Sequence, residues 1–216
     1  GAVMGQKAFI NSVREDGITH LGACISPFNA WLINRGLTTL PVRIKQQCPD
    51  LPVILLAHSM RSIAPLPEDG HCEGIDKVFI WTGNSDLLMA MVKNVEDRLN
   101  AKADTRKAQV RVLILVEDSP AYYSSFLPLI YKEIVRQTQV VLGSGLNEEH
   151  RLLKMRARPK ILHARSYEEA RALFRQFRSY VFGVIADTRL PREHRLDGEA
   201  GLKLLTRFRE EFSDLP

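Results

Sequence analysis

Cysteine is scarce in this chain: three in 216 residues, at Cys24, Cys48 and Cys72. The number is odd and no pair has CxxC spacing. A disulfide framework and a cysteine-based zinc site are therefore excluded, and free thiols in a reducing, cytoplasmic setting are expected. No apolar run reaches the roughly 18 residues of a membrane span, and no signal peptide is visible, so no membrane partner is expected. A large excess of one charge is also missing, with 30 Lys and Arg against 25 Asp and Glu and a formal net charge of +5. The densest basic cluster, Arg151, Lys154, Arg156, Arg158 and Lys160, reads as a solvated helix face rather than a nucleic-acid site.

What is present is ordinary for a globular chain, with 45% hydrophobic and 25% charged residues. The length allows one sizeable core or two small ones. Both ends read as cut from something longer, since the chain starts at Gly1 without an initiator methionine and stops at Pro216 directly behind a helical pattern. The clearest local signal is Val181-Phe182-Gly183-Val184-Ile185-Ala186, an apolar β-branched run that ends in Asp187, with Pro191 closing the turn. Such a run predicts a buried strand of a parallel sheet. Ligands bind in the crevice beyond the carboxyl ends of such strands.

The first 46 residues are helical in pattern. Ala8, Phe9, Ile10 and Val13 form a short stripe. Ser26-Pro27 reads as an N-cap with proline in the first turn, and Gly36 as the stop of that second helix. A third short helix is expected over 40–47. Gly22-Ala23-Cys24-Ile25-Ser26-Pro27-Phe28-Asn29-Ala30-Trp31-Leu32, followed by Arg35-Gly36-Leu37-Thr38-Thr39-Leu40-Pro41-Val42-Arg43, resembles the Cys/Met-metabolism family of pyridoxal-phosphate enzymes. Methionine gamma-lyases and O-acetylhomoserine sulfhydrylases belong to it. The resemblance implies Schiff-base chemistry, which needs a lysine on the cofactor, an acid under the pyridine nitrogen and an arginine for the substrate carboxylate. In the family these lie outside the matching stretch, and neither Lys7 nor Lys45 occupies such a position. The expectation is a detached fragment, inactive alone, with pyridoxal phosphate not expected as a cofactor.

Residues 47–104 predict a strand over 51–57, a second over 76–81, and a helix capped by Asn84 or Ser85 that buries Leu87, Leu88, Met91, Val92, Val95 and Leu99. Residues 105–216 follow a charged linker, 102–109. They predict strands at 110–116, 160–164 and 181–187, alternating with helices that include one near 148–156 and one opened by the capping box Ser166-Tyr167-Glu168-Glu169. Leu115-Val116-Glu117-Asp118-Ser119 and Asp187-Thr188-Arg189-Leu190-Pro191 resemble the acidic pair and the phosphoacceptor turn of two-component receiver domains. The resemblance is to the tandem type found ahead of PEP-synthase-like proteins. Residues 47–104 resemble the second half of such a domain and 105–216 the first half of another. The resemblance places a hydroxyl residue and a lysine where this chain has Ala57 and Trp81.

Three carboxylates meeting at one sheet edge repel, and would raise each other's pKa unless a divalent cation neutralises them. Magnesium suits an all-oxygen site. Glu117, Asp118 and Asp187 are therefore the candidate metal ligands, with Asp187 as the candidate phosphoacceptor. Arg43 to Pro52 also aligns without gaps to Arg207 to Pro216, which implies that the chain holds every element of one receiver in circularly permuted order. The expected fold is thus α/β, a flavodoxin-like doubly wound parallel sheet behind an N-terminal helical segment. The expected domains are 1–46, 47–104 and 105–216. The two receiver-like parts would close into one five-stranded sheet, or exchange halves between chains as a domain-swapped homodimer.

The expected function is a phosphoacceptor signalling module and not an enzyme. Its partners would be a histidine kinase or small phosphodonor and a protein output partner. The alternatives are an unphosphorylated interaction module, given Ala57 and Trp81, and the lyase or sulfhydrylase fragment.

Overall fold

A computed structural model of the protein describes residues 7–15, 26–63, 73–143, 158–193 and 195–212. Contacts divide the chain into two units, Gly1–Val53 with Glu73–Ile75, and Ile54–Cys72 with Asp76–Pro216.

The first unit is helical: α1 (Lys7–Arg14), α2 (Pro27–Thr38) and α3 (Leu40–Gln47). Ser26 Oγ accepts the Asn29 N–H at 3.1 Å, so the expected cap forms. Gly36 does not end α2, which runs on to Thr38. The Gly36 carbonyl is satisfied instead by Arg43 Nη2 at 2.9 Å and Thr39 Oγ1 at 3.3 Å, which removes the need for a left-handed cap there. Gly74 has φ +82°, and a Cβ on it would lie 2.7 Å from Pro41 C and Val42 N, so only glycine fits. Neither α1 nor α3 buries a residue. On α2, Phe28 and Trp31 stack at 5.9 Å while 65% and 53% exposed. These helices carry apolar side chains that they do not bury.

The second unit is mixed α/β. In chain order it holds β1 (Ile54–Ala57), α4 (Met60–Ile63), β2 (Lys77–Ile80), α5 (Asp86–Ala108), β3 (Val112–Val116) and α6 (Pro120–Gly143). There follow β4 (Lys160–Ala164), α7 (Tyr167–Phe177), a 3₁₀ turn (Arg178–Tyr180), β5 (Val181–Ala186), β6 (Leu190–Arg192), β7 (Arg195–Asp197) and α8 (Ala200–Glu211). β3 is buried at every residue and sits between β4 and β5, with both pairings parallel. Its Val112, Ile114 and Val116 pack with Phe174 of α7 and Leu204 and Phe208 of α8. Leu115 and Ile161 pack with Phe79, Tyr123, Leu127 and Tyr131. Helices cover both faces, which is what an all-parallel ladder of apolar strands requires.

The structure corrects several expectations. The five strands do not form one sheet among the described residues: β1 pairs only with β2, apart from the β4-β3-β5 ladder. β2 is held by α6 instead, since Tyr123 OH donates to the Val78 carbonyl and Ile80 N–H donates to Ser124 Oγ at 2.9 Å. Residues 102–108 are not a linker but the last turns of α5, which stops at Gln109 in the left-handed region (φ 53°).

α5 buries Leu87, Ala90, Asn94, Asp97, Ala101 and Thr105, leaving Leu88, Val92 and Leu99 exposed at 48%, 65% and 63%. The face with small residues and Asp97 wins because Asp97 finds partners inside. Its carboxylate accepts from Tyr131 OH and Ile161 N–H at 3.0 Å each and from Arg158 Nη2 at 2.6 Å, with Lys160 Nζ at 3.4 Å. Lys160 is therefore a buried and Arg158 a half-buried ion-pair member, and neither belongs to a solvated face, while Arg151, Lys154 and Arg156 lie outside the described residues. The segment after Asp187 is a small antiparallel hairpin, β6–β7, where a loop was expected. The expected helix near 148–156 lies outside the described residues.

Candidate functional site: an acidic cleft at the strand ends

β3 and β5 end side by side, and their registry aligns Val116 with Ala186. The next residues are Glu117 and Asp187, and the ladder continues into them: Asp187 N–H donates to Val116 O and Glu117 N–H to Ala164 O, each at 3.0 Å. The chain then turns into α6 at Pro120, so Glu117 and Asp118 fall just before a helix start. One oxygen from each of Glu117, Asp118 and Asp187 lies within 4.8 Å of the others. The fold thus gathers all three sequence-predicted acidic residues at one sheet edge.

Each is fixed by the backbone around it. Glu117 is buried, and its Oε1 accepts the Ser119 N–H at 3.0 Å. Asp187 Oδ1 accepts the Thr188 N–H at 2.7 Å, an arrangement that turns the chain out of the strand. The start of α8 packs against the backbone of Asp187 and Thr188. A Cβ on Gly201 would lie 1.8 Å from the Asp187 carbonyl oxygen, so α8 approaches this closely only because residue 201 is glycine. Gly201 N–H donates to Thr188 O at 3.0 Å.

Burial raises the Glu117 carboxyl above its usual range, and the charges of Asp187 and Asp118 add to that rise against the Ser119 hydrogen bond. Burial likewise raises Asp118, with Asp187 adding and Arg189 opposing. No ion pair neutralises any of the three carboxylates among the described residues. Such a set favours a hard divalent cation over three separate anions.

His163, Tyr123 and Lys77 form the floor beneath the Glu117 backbone, and sequence reasoning missed them. His163 Nε2 donates to the Glu117 carbonyl at 2.9 Å, and its ring lies 4.6 Å from that of Tyr123. Burial, then the charge of Lys77, pushes His163 well below the ordinary histidine range. The available signal was a histidine set between the apolar residues Leu162 and Ala164 of strand 160–164. Ala57 and Trp81 lie on the separate β1–β2 ladder, linked by the Trp81 N–H to Ala57 O bond of 2.7 Å. They contribute no hydroxyl or ammonium to the cleft.

Among the described residues, α1 and α3 of the segment that resembles pyridoxal-phosphate enzymes show no enclosed cradle for that cofactor. A cofactor lysine needs a cradle for the ring, and α1 and α3 bury no residue. Lys45 Nζ donates to the Pro49 carbonyl at 3.2 Å, back onto its own chain.

No family model and no solved structure matches the chain. Short matches to curated proteins do exist. A canavanine gamma-lyase of Rhizobium leguminosarum bv. trifolii is 53% identical over 47 residues, 22% of this chain and 12% of that protein. An L-methionine gamma-lyase of Porphyromonas gingivalis is 45% identical over 49 residues, again 22% of this chain and 12% of that protein. An O-acetyl-L-homoserine sulfhydrylase of Leptospira meyeri is 51% identical over 39 residues, 18% of this chain and 9% of that protein.

These matches correct the functional expectation. The relatives are lyases and a sulfhydrylase, and nothing found supports a response regulator, a two-component or phosphorelay role, or phosphate acceptance at Asp187. Over about a fifth of its length this chain is similar to gamma-lyases and sulfhydrylases, and it spans roughly an eighth of the gamma-lyases it matches.

Proposed function

We propose that residues 1–46 are a detached piece of a pyridoxal-phosphate lyase or sulfhydrylase of the Cys/Met-metabolism type, without lyase activity in this chain. The 53% identity over 47 residues to a canavanine gamma-lyase carries the reading. Inactivity follows from chemistry: the reaction type needs a cofactor lysine, an acid under the pyridine nitrogen and a carboxylate-binding arginine, all held in one cradle. The protein is incubated with pyridoxal phosphate, dialysed, and scanned at roughly 400–450 nm, where an internal aldimine absorbs. No retained band and no turnover of canavanine, methionine or O-acetylhomoserine are expected. A retained band accompanied by turnover would overturn the reading.

A second reading concerns the α/β unit, favoured by the convergence of three carboxylates within 4.8 Å. The cleft of Glu117, Asp118 and Asp187 takes a divalent cation, and the all-oxygen donor set points to magnesium. Helices on both faces of the β4-β3-β5 ladder support reading this unit as part of a flavodoxin-like, doubly wound sheet. Binding stabilises the folded state by mass action, by about 2.7 kcal/mol at a concentration 100 times Kd. Thermal melts with and without magnesium are expected to show a rise in Tm for the parent and none for Asp118→Asn. The same response from both proteins would exclude the site.

A further inference from the structure

The two parallel ladders of the second unit have four outer edges, and side chains close two of them. At β2, Tyr123 OH and Ser124 Oγ bond the outward Val78 carbonyl and Ile80 N–H. At β4, Asp97 Oδ2 accepts the outward Ile161 N–H at 3.0 Å. Among the described residues no side chain bonds the free edge of β1 or of β5, and each strand pairs on one side only.

These two open strands are also the ones whose apolar side chains stay out. Ile54-Leu55-Leu56-Ala57 is apolar throughout, yet only Ala57 is buried and Leu56 is 39% exposed. On β5, Phe182 and Ile185 are 41% and 48% exposed. Strands of this composition are normally covered on both faces and paired on both edges.

Charge favours the same match. A parallel pairing of β1 with β5 puts their carboxyl ends on one side. β5 ends at Asp187, beside Glu117 and Asp118, and no ion pair among the described residues reaches any of the three. β1 leads directly into His58 and Arg61, both exposed and outside every ion pair among the described residues.

From these edges we infer that the chain forms a reciprocal two-fold dimer in which β5 of each copy pairs in parallel with β1 of the other. Each junction extends the β4-β3-β5 ladder by β1 and β2 of the second copy into a five-stranded parallel sheet. His58 and Arg61 of the second copy then lie beside the acidic strand ends. Two equivalent junctions saturate both open edges and close the assembly, whereas a single head-to-tail junction would leave one edge on each copy for further growth.

Sedimentation analysis of the full chain tests this at about 100 µM, where a micromolar complex is fully populated. A dimer is expected. Ile185→Lys and Leu56→Lys change exposed positions that a folded monomer tolerates, and far-UV circular dichroism of each checks the fold. Each is expected to raise the dissociation constant at least about tenfold. Arg61→Glu is expected to weaken the dimer as well, through like charge at the junction.

Mixing the two lysine variants is expected to restore association. The unaltered β5 of one variant then meets the unaltered β1 of the other, and one of the two junctions is whole. A monomeric parent, or assemblies growing beyond the dimer, would overturn the proposal. So would a Leu56→Lys variant that dimerises like the parent, since that result assigns the contact to β5 against β5.

Discussion

Lys77 carries an ammonium in a place that resists charge. Its Nζ donates to Asn94 Oδ1 at 2.6 Å and lies 5.2 and 5.1 Å from the ring centres of Phe79 and Tyr123. Burial lowers its pKa from 10.5 to about 7, with Arg165 and Arg98 pushing the same way and Glu169 opposing. Between these values the unfolded chain binds the proton and the folded protein releases it. The cost of holding a charged Lys77 is therefore full below about pH 7 and fades as pH rises toward 10.5, so this residue makes stability increase with pH across that window. Lys77→Met is expected to raise Tm at pH 7 and to flatten the Tm profile between pH 7 and 10. A parent whose Tm does not rise over that range would refute the assignment.

The glycine at 201 makes a different residue-scale point. Nothing in the string Glu199-Ala200-Gly201-Leu202 indicates a close contact, yet the Asp187 carbonyl occupies the space that any other side chain would need.

At the scale of elements, α5 is the informative one. Of the apolar stripe read from the sequence, Leu87 is buried and Met91 packs against the core, whereas Leu88, Val92 and Leu99 face outward and Asp97 is fully buried. Hydrophobic periodicity counts side chains but not partners, and the partners of Asp97 arrive from 34 to 64 residues downstream. Arg158 keeps one nitrogen, Nη1, buried without a hydrogen-bond partner among the described residues, so the cluster is incompletely satisfied even with Asp97 in place. Asp97→Ala removes the counter-charge from Arg158 and partly from Lys160, which retains Asp104 at 2.8 Å. Breaking one side of such a buried pair costs about 3–5 kcal/mol, and a matching fall in the urea midpoint is expected. A midpoint within experimental error of the parent would mean that α5 is not held by this cluster.

Other elements were legible because their signals are local. Ser166 caps α7 by accepting the Glu169 N–H at 3.1 Å, and β4 spans the predicted residues 160–164. The hairpin of β6 and β7 was not legible, since three-residue strands rich in charge and proline carry no alternation to detect.

At the scale of the whole molecule, the sequence by itself determined the α/β class of the second unit and its parallel, apolar strands. It also determined the helical character of the first unit and the position of three acidic residues at strand ends. These follow from patterns only a few residues long: continuous apolar runs, caps, and a carboxylate directly behind a strand. Tertiary structure decided the rest. It brought Glu117, Asp118 and Asp187 within reach of one ion, set His163 beneath them, and buried Asp97 in preference to three leucine and valine side chains. It also kept β1 and β2 apart from the other ladder, because Tyr123 and Ser124 of α6 occupy the β2 edge. Which strand edges close and which stay open depends on side chains far along the chain, and a local pattern has no means of counting them.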